Sequence, residues 1–132
     1  MCGLFGVIKE GAISKPCIER ARLALDTLSH RGPDQTGEYF LKNTYMGHRR
    51  LSILDTSDAG KQPMVARNVA VTVNGEVYNF QSLKSELEEA GYKFRSQSDS
   101  EVLLHGYSHW GIDGLVDRLD GMYAAVIHDA KT

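Results

Sequence analysis

The sequence predicts an α+β sandwich, and three observations carry that expectation. Its 132 residues suit one compact domain, with 42% hydrophobic and 24% charged residues, the balance of an ordinary globular chain. Short extended segments cluster around helical ones without the regular strand–helix alternation that builds a doubly wound parallel sheet. No internal repeat, low-complexity tract or Pro/Gly/Ser-rich linker divides the chain, so a single domain is the simplest organisation.

In chain order, Leu4 to Ile8 reads as a short strand, followed by a turn at Gly11. The spacing predicts a helix from about Lys15 to Ser29, with Ile18, Ala21, Leu25 and Leu28 on one face and Ser14 as its cap. Arg31, Gly32, Pro33 and Asp34 break both periodicities and predict a loop. Tyr39 to Leu41 and Tyr45 to Arg49 pair across Lys42 to Thr44, and Leu51 to Leu54 continues in extended form toward a polar loop ending near Pro63. Val69 to Val73, then Asn74-Gly75, then Val77 carries the signal of a two-residue hairpin.

A helix over Phe80 to Ala90 turns Phe80, Leu83 and Leu87 inward and stops at Gly91. Ser98 and Glu101 have capping-box spacing at the start of another that runs to about Trp110, and a shorter one fits Ile112 to Leu119. Tyr123 to His128 reads as a buried final strand, with Tyr107, Trp110 and Tyr123 as core residues.

Charge and composition exclude several classes of function. A net charge of -2, with no block of like charge, argues against a nucleic-acid footprint. The longest clean apolar stretch, Met122 to Ile127, is too short to cross a bilayer. Met1 to Ile8 lacks the basic start and cleavage site of a secretory signal. Cys2 and Cys17 make neither a disulfide framework nor a metal-ligand pattern, so a reducing, cytoplasmic setting is expected.

Cys2 has the largest chemical potential. Removal of Met1, which a small second residue permits, would give Cys2 both a thiol and a free α-amine, a nucleophile carrying its own base. The plainer reading is a small apolar residue opening a strand. Asn74 and Gly75 could present a side-chain amide and a backbone N–H to a developing oxyanion, although the same dipeptide also reads as a turn. Arg50 suits a carboxylate, and Asp99 and Glu76 suit an ammonium; a surface charge and a helix N-terminal acid are the alternatives. His105 and His109 stand one helical turn apart but lack a third metal ligand.

Taken as an ordered set, MCGLFGVI, LSHRGPDQTG, GHRRLSILD, KQPM, VNGEVYNF, GYKFRSQSDSEVLLHGY and LDGMYAAVIHD closely resemble the amino-terminal glutaminase domain of glutamine-hydrolysing asparagine synthetases, a class II glutamine amidotransferase. The resemblance implies the amino-terminal-nucleophile hydrolase fold, a four-layer αββα sandwich of two antiparallel sheets. It implies Cys2 as nucleophile, Asn74 and Gly75 as the oxyanion hole, and Arg50 as the holder of the glutamine α-carboxylate. The main chain around Leu51 and Ile53 would line the same pocket, with Glu76 and Asp99 at the glutamine amino end. The loop of Arg31, Gly32, Pro33 and Asp34 would lie beside the nucleophile, and its Gly-Pro-Asp form favours the asparagine-synthetase branch.

By the same resemblance the glutaminase half needs no cofactor or metal. ATP and magnesium belong to a synthetase domain whose Ser-Gly-Gly-x-Asp-Ser pyrophosphate loop does not occur in this sequence. The family continues beyond His128-Asp129-Ala130-Lys131-Thr132 with a further strand, so residues 1–132 are expected to be a domain truncated at its carboxyl end. Glutamine is the expected substrate, an ammonia-accepting synthetase domain or subunit the expected partner, and an open sheet edge the expected route to a homodimer. Neither membrane nor nucleic acid is an expected partner. Two alternatives remain at this stage, a non-catalytic glutamine-binding or interaction module and an amidotransferase serving another acceptor such as a sugar.

Overall fold

A computed structural model describes residues 1–132. The elements are β1 (Gly3–Ile8), α1 (Lys15–Asp26), β2 (Gln35–Leu41), β3 (Thr44–Arg50), a single 3-10 turn (Asp58–Gly60), β4 (Met64–Ala66), β5 (Val69–Val77), α2 (Phe80–Glu89), α3 (Glu101–Val116) and β6 (Gly121–Asp129). They build two three-stranded antiparallel sheets, ordered β1-β3-β2 and β4-β5-β6. With α1 outside the first sheet and α2 and α3 outside the second, the layers run α, β, β, α, as the family resemblance implies.

Strand alternation sorts side chains between these layers. On β5, Val69, Val71, Val73 and Val77 face the helices and join Leu83, Leu87, Val102, Leu103, Leu104 and Leu115 in the main core. Burial of each such Leu or Val stabilises by roughly 1.5–3 kcal/mol. Across the first sheet, Leu25 of α1 is 1% exposed and sits on Gly47, where a Cβ would come within 2.7 Å of its Cδ2. The small residue lets helix and sheet approach. The opposite faces of β3 and β5 meet between the sheets, where His48 Nδ1 and Thr72 Oγ1 are 2.8 Å apart.

Several expectations change form. Asn74-Gly75 is no turn: it lies within β5, which pairs with β6 over its whole length from Val69↔Asp129 to Val77↔Gly121. The hairpin instead turns at Arg67 and Asn68, and nine consecutive rungs outweigh a two-residue turn preference. Leu51 to Leu54 leaves the sheet rather than continuing it, with Ile53 and Leu54 exposed. The chain there wraps around the Arg50 side chain, whose N–H groups bind the carbonyls of Asp55 and Ser57.

Tyr123 is 36% exposed, and Ala124 and Ala125 are also exposed, because β6 is the edge of its sheet. Tyr107 and Trp110 do pack against the core. Ser14 precedes α1 without a side-chain cap, and α1 stops at Asp26 rather than Ser29. The Ser98–Glu101 box does not close, because the Glu101 carboxylate turns back to the N–H groups of Arg95 and Ser96. Gly111, at φ 72° and ψ -176°, divides α3 where the sequence separates two helices.

Burial and the neighbouring Arg50 charge push the His48 pKa down to about 4 from 6.5. A base whose folded pKa is depressed binds fewer protons folded than unfolded, so its contribution to stability is complete above about 6.5 and lost as pH falls toward about 4. A shift of this size is worth on the order of 3 kcal/mol. Denaturant titrations from pH 8 to pH 4 are expected to show the wild type losing roughly that much more stability than His48→Gln, which keeps a polar partner for Thr72 but does not titrate.

Candidate active site

A cleft of about 740 Å³, counting its open mouth, lies at one end of the layer between the sheets. Cys2, Arg50, Leu51, Ile53, Asn74, Gly75, Glu76 and Asp99 all line it, so every site residue nominated from the sequence reaches the same space.

Cys2 immediately precedes β1, whose pairing with β3 sets Gly3 opposite Arg49. That register brings the Cys2 thiol to Leu51, whose N–H donates to Sγ at 3.3 Å and whose carbonyl lies 3.7 Å away. Arg31 Nε donates to the Cys2 carbonyl at 2.9 Å, and Asp34 accepts the Ser52 N–H at 2.7 Å. The Arg31–Asp34 loop therefore clamps both sides of the thiol. Gly32 permits this approach, since a Cβ there would lie 2.2 Å from the Arg49 carbonyl carbon.

Arg50 is 5% exposed and has no carboxylate partner in the chain. Three of its N–H groups go to neutral oxygens, Gln35 Oε1 at 2.7 Å, Ser57 O at 2.8 Å and Asp55 O. Two of the five guanidinium N–H groups remain without a protein acceptor. The loop that supplies the carbonyls is itself fixed: Asp55 accepts from the Ser57 hydroxyl and N–H and from the Gln97 N–H, bonds that hold its carboxyl below the usual range. The charge is thus positioned but not neutralised.

On the facing sheet, parity along β5 determines which backbone groups reach the cleft. The Tyr78 N–H points toward the β6 side, to Asp120 O at 2.7 Å. The Val73 and Val77 N–H groups point the other way, to Gln62 Oε1 at 2.6 Å and Asp99 Oδ2 at 2.8 Å. Gly75, between them, directs its N–H to that same edge and into the cleft. Its φ of 145° and the 2.0 Å that would separate a Cβ from the Met122 carbonyl oxygen require glycine here. The Asn74 carboxamide bonds nothing in the chain, and its Oδ1 is buried without a partner.

Asp99 is 6% exposed. Burial raises its pKa, the Val77 N–H opposes the rise, and the charge of Glu76 adds to it. Two carboxylates that repel one another at the cleft wall are a place for a cation. Ile53, 68% exposed, contributes only to the mouth. Gln62, Asp55, Ser98 and Ser100 also line the cleft without having been singled out as site residues. Gln62 lay within the KQPM segment, but a polar residue before proline carries no signal of burial.

Away from the cleft, His105 Nε2 lies 3.3 Å from Glu101 Oε1 and packs against Tyr92 and Phe94. His109 faces Tyr92 and Trp110 instead.

Two antiparallel sheets stacked between helical layers, with a cleft thiol just ahead of the first strand, define the architecture of an amino-terminal-nucleophile hydrolase. The solved structure of glutamine phosphoribosylpyrophosphate amidotransferase from B. subtilis superposes with a TM-score of 0.79 over 98% of this chain and 35% of that one, at 22% identity. The sequence model of the glutamine amidotransferase domain matches residues 1–132, and the chain belongs to that family. Among curated relatives, an asparagine synthetase (glutamine-hydrolyzing) of Oryza sativa subsp. japonica is 39% identical over 99% of the chain and 22% of its own length. Asparagine synthetase B (glutamine-hydrolyzing) of Escherichia coli strain K12 is 40% identical over 99% of the chain and 24% of its own length. The chain thus spans about a quarter or less of these relatives.

Gly75→Ala is expected to lower folding stability by at least ~1–3 kcal/mol, because the new Cβ meets backbone and the φ is strained for an L-residue. Thermal melting measures it, with Gly91→Ala, at positive φ but in open space, as the comparison that separates collision from dihedral strain.

Proposed function

We propose that the cleft hydrolyses the side-chain amide of glutamine to glutamate and ammonia, with Cys2 as nucleophile. The observation that carries this reading is the convergence on one cleft of a thiol, two candidate oxyanion donors, an unneutralised guanidinium and a pair of carboxylates. That set matches a free α-amino acid whose side-chain carbonyl reaches the thiol. Arg50 takes the α-carboxylate, Asp99 and Glu76 take the α-ammonium, and the backbone about Leu51 and Ile53 lines the intervening wall.

With Met1 removed, the α-amine of Cys2 accepts the thiol proton, directly or through one water. Sulfur then attacks the amide carbon, and the oxyanion that forms rests on Asn74 Nδ2 and the Gly75 N–H, each donor worth roughly 2.7–4 kcal/mol. Collapse breaks the C–N bond as the ammonium of Cys2 returns its proton to the departing nitrogen, releasing ammonia. Water then attacks the γ-glutamyl thioester, giving a proton to the neutral α-amine as the oxyanion forms again on the same donors; collapse breaks the C–S bond, the ammonium returns that proton to sulfur, and glutamate leaves.

The asparagine synthetase names of the curated relatives support a synthetase domain or subunit as the recipient of the ammonia, and ATP and magnesium would act there. The open edge of β6 is where a second copy would pair. No helix is long and apolar enough to cross a membrane, and both cysteines are free, which supports a cytoplasmic setting. A second reading, glutamine binding without turnover, applies to the chain that keeps Met1. Its peptide bond makes the Cys2 nitrogen an amide, and Met1 itself lines the cleft.

Ammonia release from glutamine by protein lacking Met1 tests the proposal. Cys2→Ala is expected to reduce kcat by at least ~1000-fold, and equal rates for wild type and variant would refute the assignment. Arg50→Lys, which replaces a planar fork by a point charge, is expected to raise the KM for glutamine about tenfold or more with a smaller change in kcat. An unchanged KM would remove Arg50 from the carboxylate site.

A further inference from the structure

Gln62 is 5% exposed, lies between the 3-10 turn and β4, and has no part in the chemistry above. We infer that Gln62 is a positioning residue whose carboxamide fixes the oxyanion edge of β5 to the loop carrying Asp99. The inference rests on the glutaminase reading and adds to it the residue that sets the geometry of its donors.

The need for such a residue follows from the sheet. β4 pairs with β5 only from Val69 to Val71, so the N–H groups of Val73, Gly75 and Val77 meet no strand on that edge. Buried backbone donors require partners. Gln62 Oε1 takes the Val73 N–H at 2.6 Å and Asp99 Oδ2 takes that of Val77 at 2.8 Å. The N–H between them, that of Gly75, is left facing the cleft. The other end of the same carboxamide, Gln62 Nε2, donates to Ser100 Oγ at 3.3 Å. Ser100 immediately precedes α3 and adjoins Asp99, so one rigid planar group spans the two flanks of the open donor.

The main chain of Gln62 is held from the opposite sheet. A Cβ on Gly37 of β2 would lie 1.8 Å from the Gln62 carbonyl oxygen, so backbone packs directly on backbone there. Gln62 is therefore anchored by the first sheet while its side chain holds the second. Loss of the carboxamide frees Val73, the residue next to Asn74 and two from Gly75, and a donor displaced by a fraction of an ångström acts chiefly on the transition state.

The test compares wild type, Gln62→Met and Gln62→Glu, all lacking Met1, by glutamine-dependent ammonia release and by the backbone amide resonances of Val73 and Gly75. Methionine fills the volume without bonding either partner, whereas glutamate keeps the acceptor for Val73 and offers its second oxygen to the Ser100 hydroxyl, which then donates instead of accepting. Gln62→Met is expected to lower kcat at least ~tenfold with less than about threefold change in KM, and to shift both amide resonances. Gln62→Glu is expected to keep kcat within about threefold of wild type and to leave the Val73 resonance near its original position. Wild-type kcat or unmoved amides in Gln62→Met would overturn the inference, and so would a Gln62→Glu as impaired as the methionine variant. If Gln62→Met does not fold, Gln62→Asn, one methylene too short to reach both partners, reads the same quantities. Failure of the underlying reading would appear separately, as equal ammonia release by wild type and Cys2→Ala, while the amide resonances still decide whether Gln62 holds β5.

Discussion

The edge of β5 that runs past the end of β4 is the constraint on which the site depends. Three successive N–H groups of one parity emerge there without a strand to receive them. Side chains satisfy the outer two, Val73 through Gln62 and Val77 through Asp99, and the central one at Gly75 is left for a ligand. An unmet donor in a partly buried wall is costly to leave bare and valuable where negative charge develops. Extending β4 by four residues at its amino end, in the register that sets Met64 opposite Val71, would bring a partner opposite Gly75 and close the cleft. The shortness of one strand is thus as much a part of the site as any side chain.

Electrostatics completes the wall that the strands begin. Arg50 is held by neutral carbonyl and amide oxygens rather than by a carboxylate, which preserves its charge for an anion. Burial, and to a lesser degree the charge of Glu76, raises the cost of ionising Asp99, which favours an incoming cation. The Cys2 thiol, receiving the Leu51 N–H, lines the same cleft. In the proposed reading Arg50 and the acidic pair would orient a zwitterion, and the thiol and the β5 edge would meet the far end of its side chain. His48, on β3 two residues before Arg50, meets Thr72, on β5 two residues before Asn74, so a buried contact joins the two sheets close to the cleft-lining Arg50 and Asn74.

Much of this was legible from residues alone. Helical periodicity located α1 and α2, the helices ending near Trp110 and starting at Ile112 left the break of α3 between them, and the link at Lys42 to Thr44 gave the β2–β3 hairpin, whose observed turn is one residue shorter because Thr44 already pairs with Leu41. The ordered motifs brought Cys2, Arg50, Asn74, Gly75, Glu76 and Asp99 into one expected pocket, and all of them line the cleft. What failed were features decided by distant partners. Asn74-Gly75 reads as a turn until β6, some fifty residues later, pairs through it. Leu51 to Leu54 reads as strand until the need to satisfy a buried guanidinium pulls the following loop around Arg50. Glu101 has capping-box spacing, yet two free N–H groups at Arg95 and Ser96 compete successfully for its carboxylate. Gln62 gave no local signal at all, because its role exists only once β4 has stopped short.

The central claim is that the Cys2 thiol and the free N–H of Gly75 act on the same carbonyl. A crystal structure of the protein, freed of Met1 and reacted with a diazoketone analogue of glutamine, tests it most directly. The account predicts a single thioether on Cys2, with the ketone oxygen of the adduct within hydrogen-bond distance of both Asn74 Nδ2 and the Gly75 N–H and its α-carboxylate on Arg50. An adduct on Cys17, or one on Cys2 whose ketone oxygen points away from β5, would contradict it.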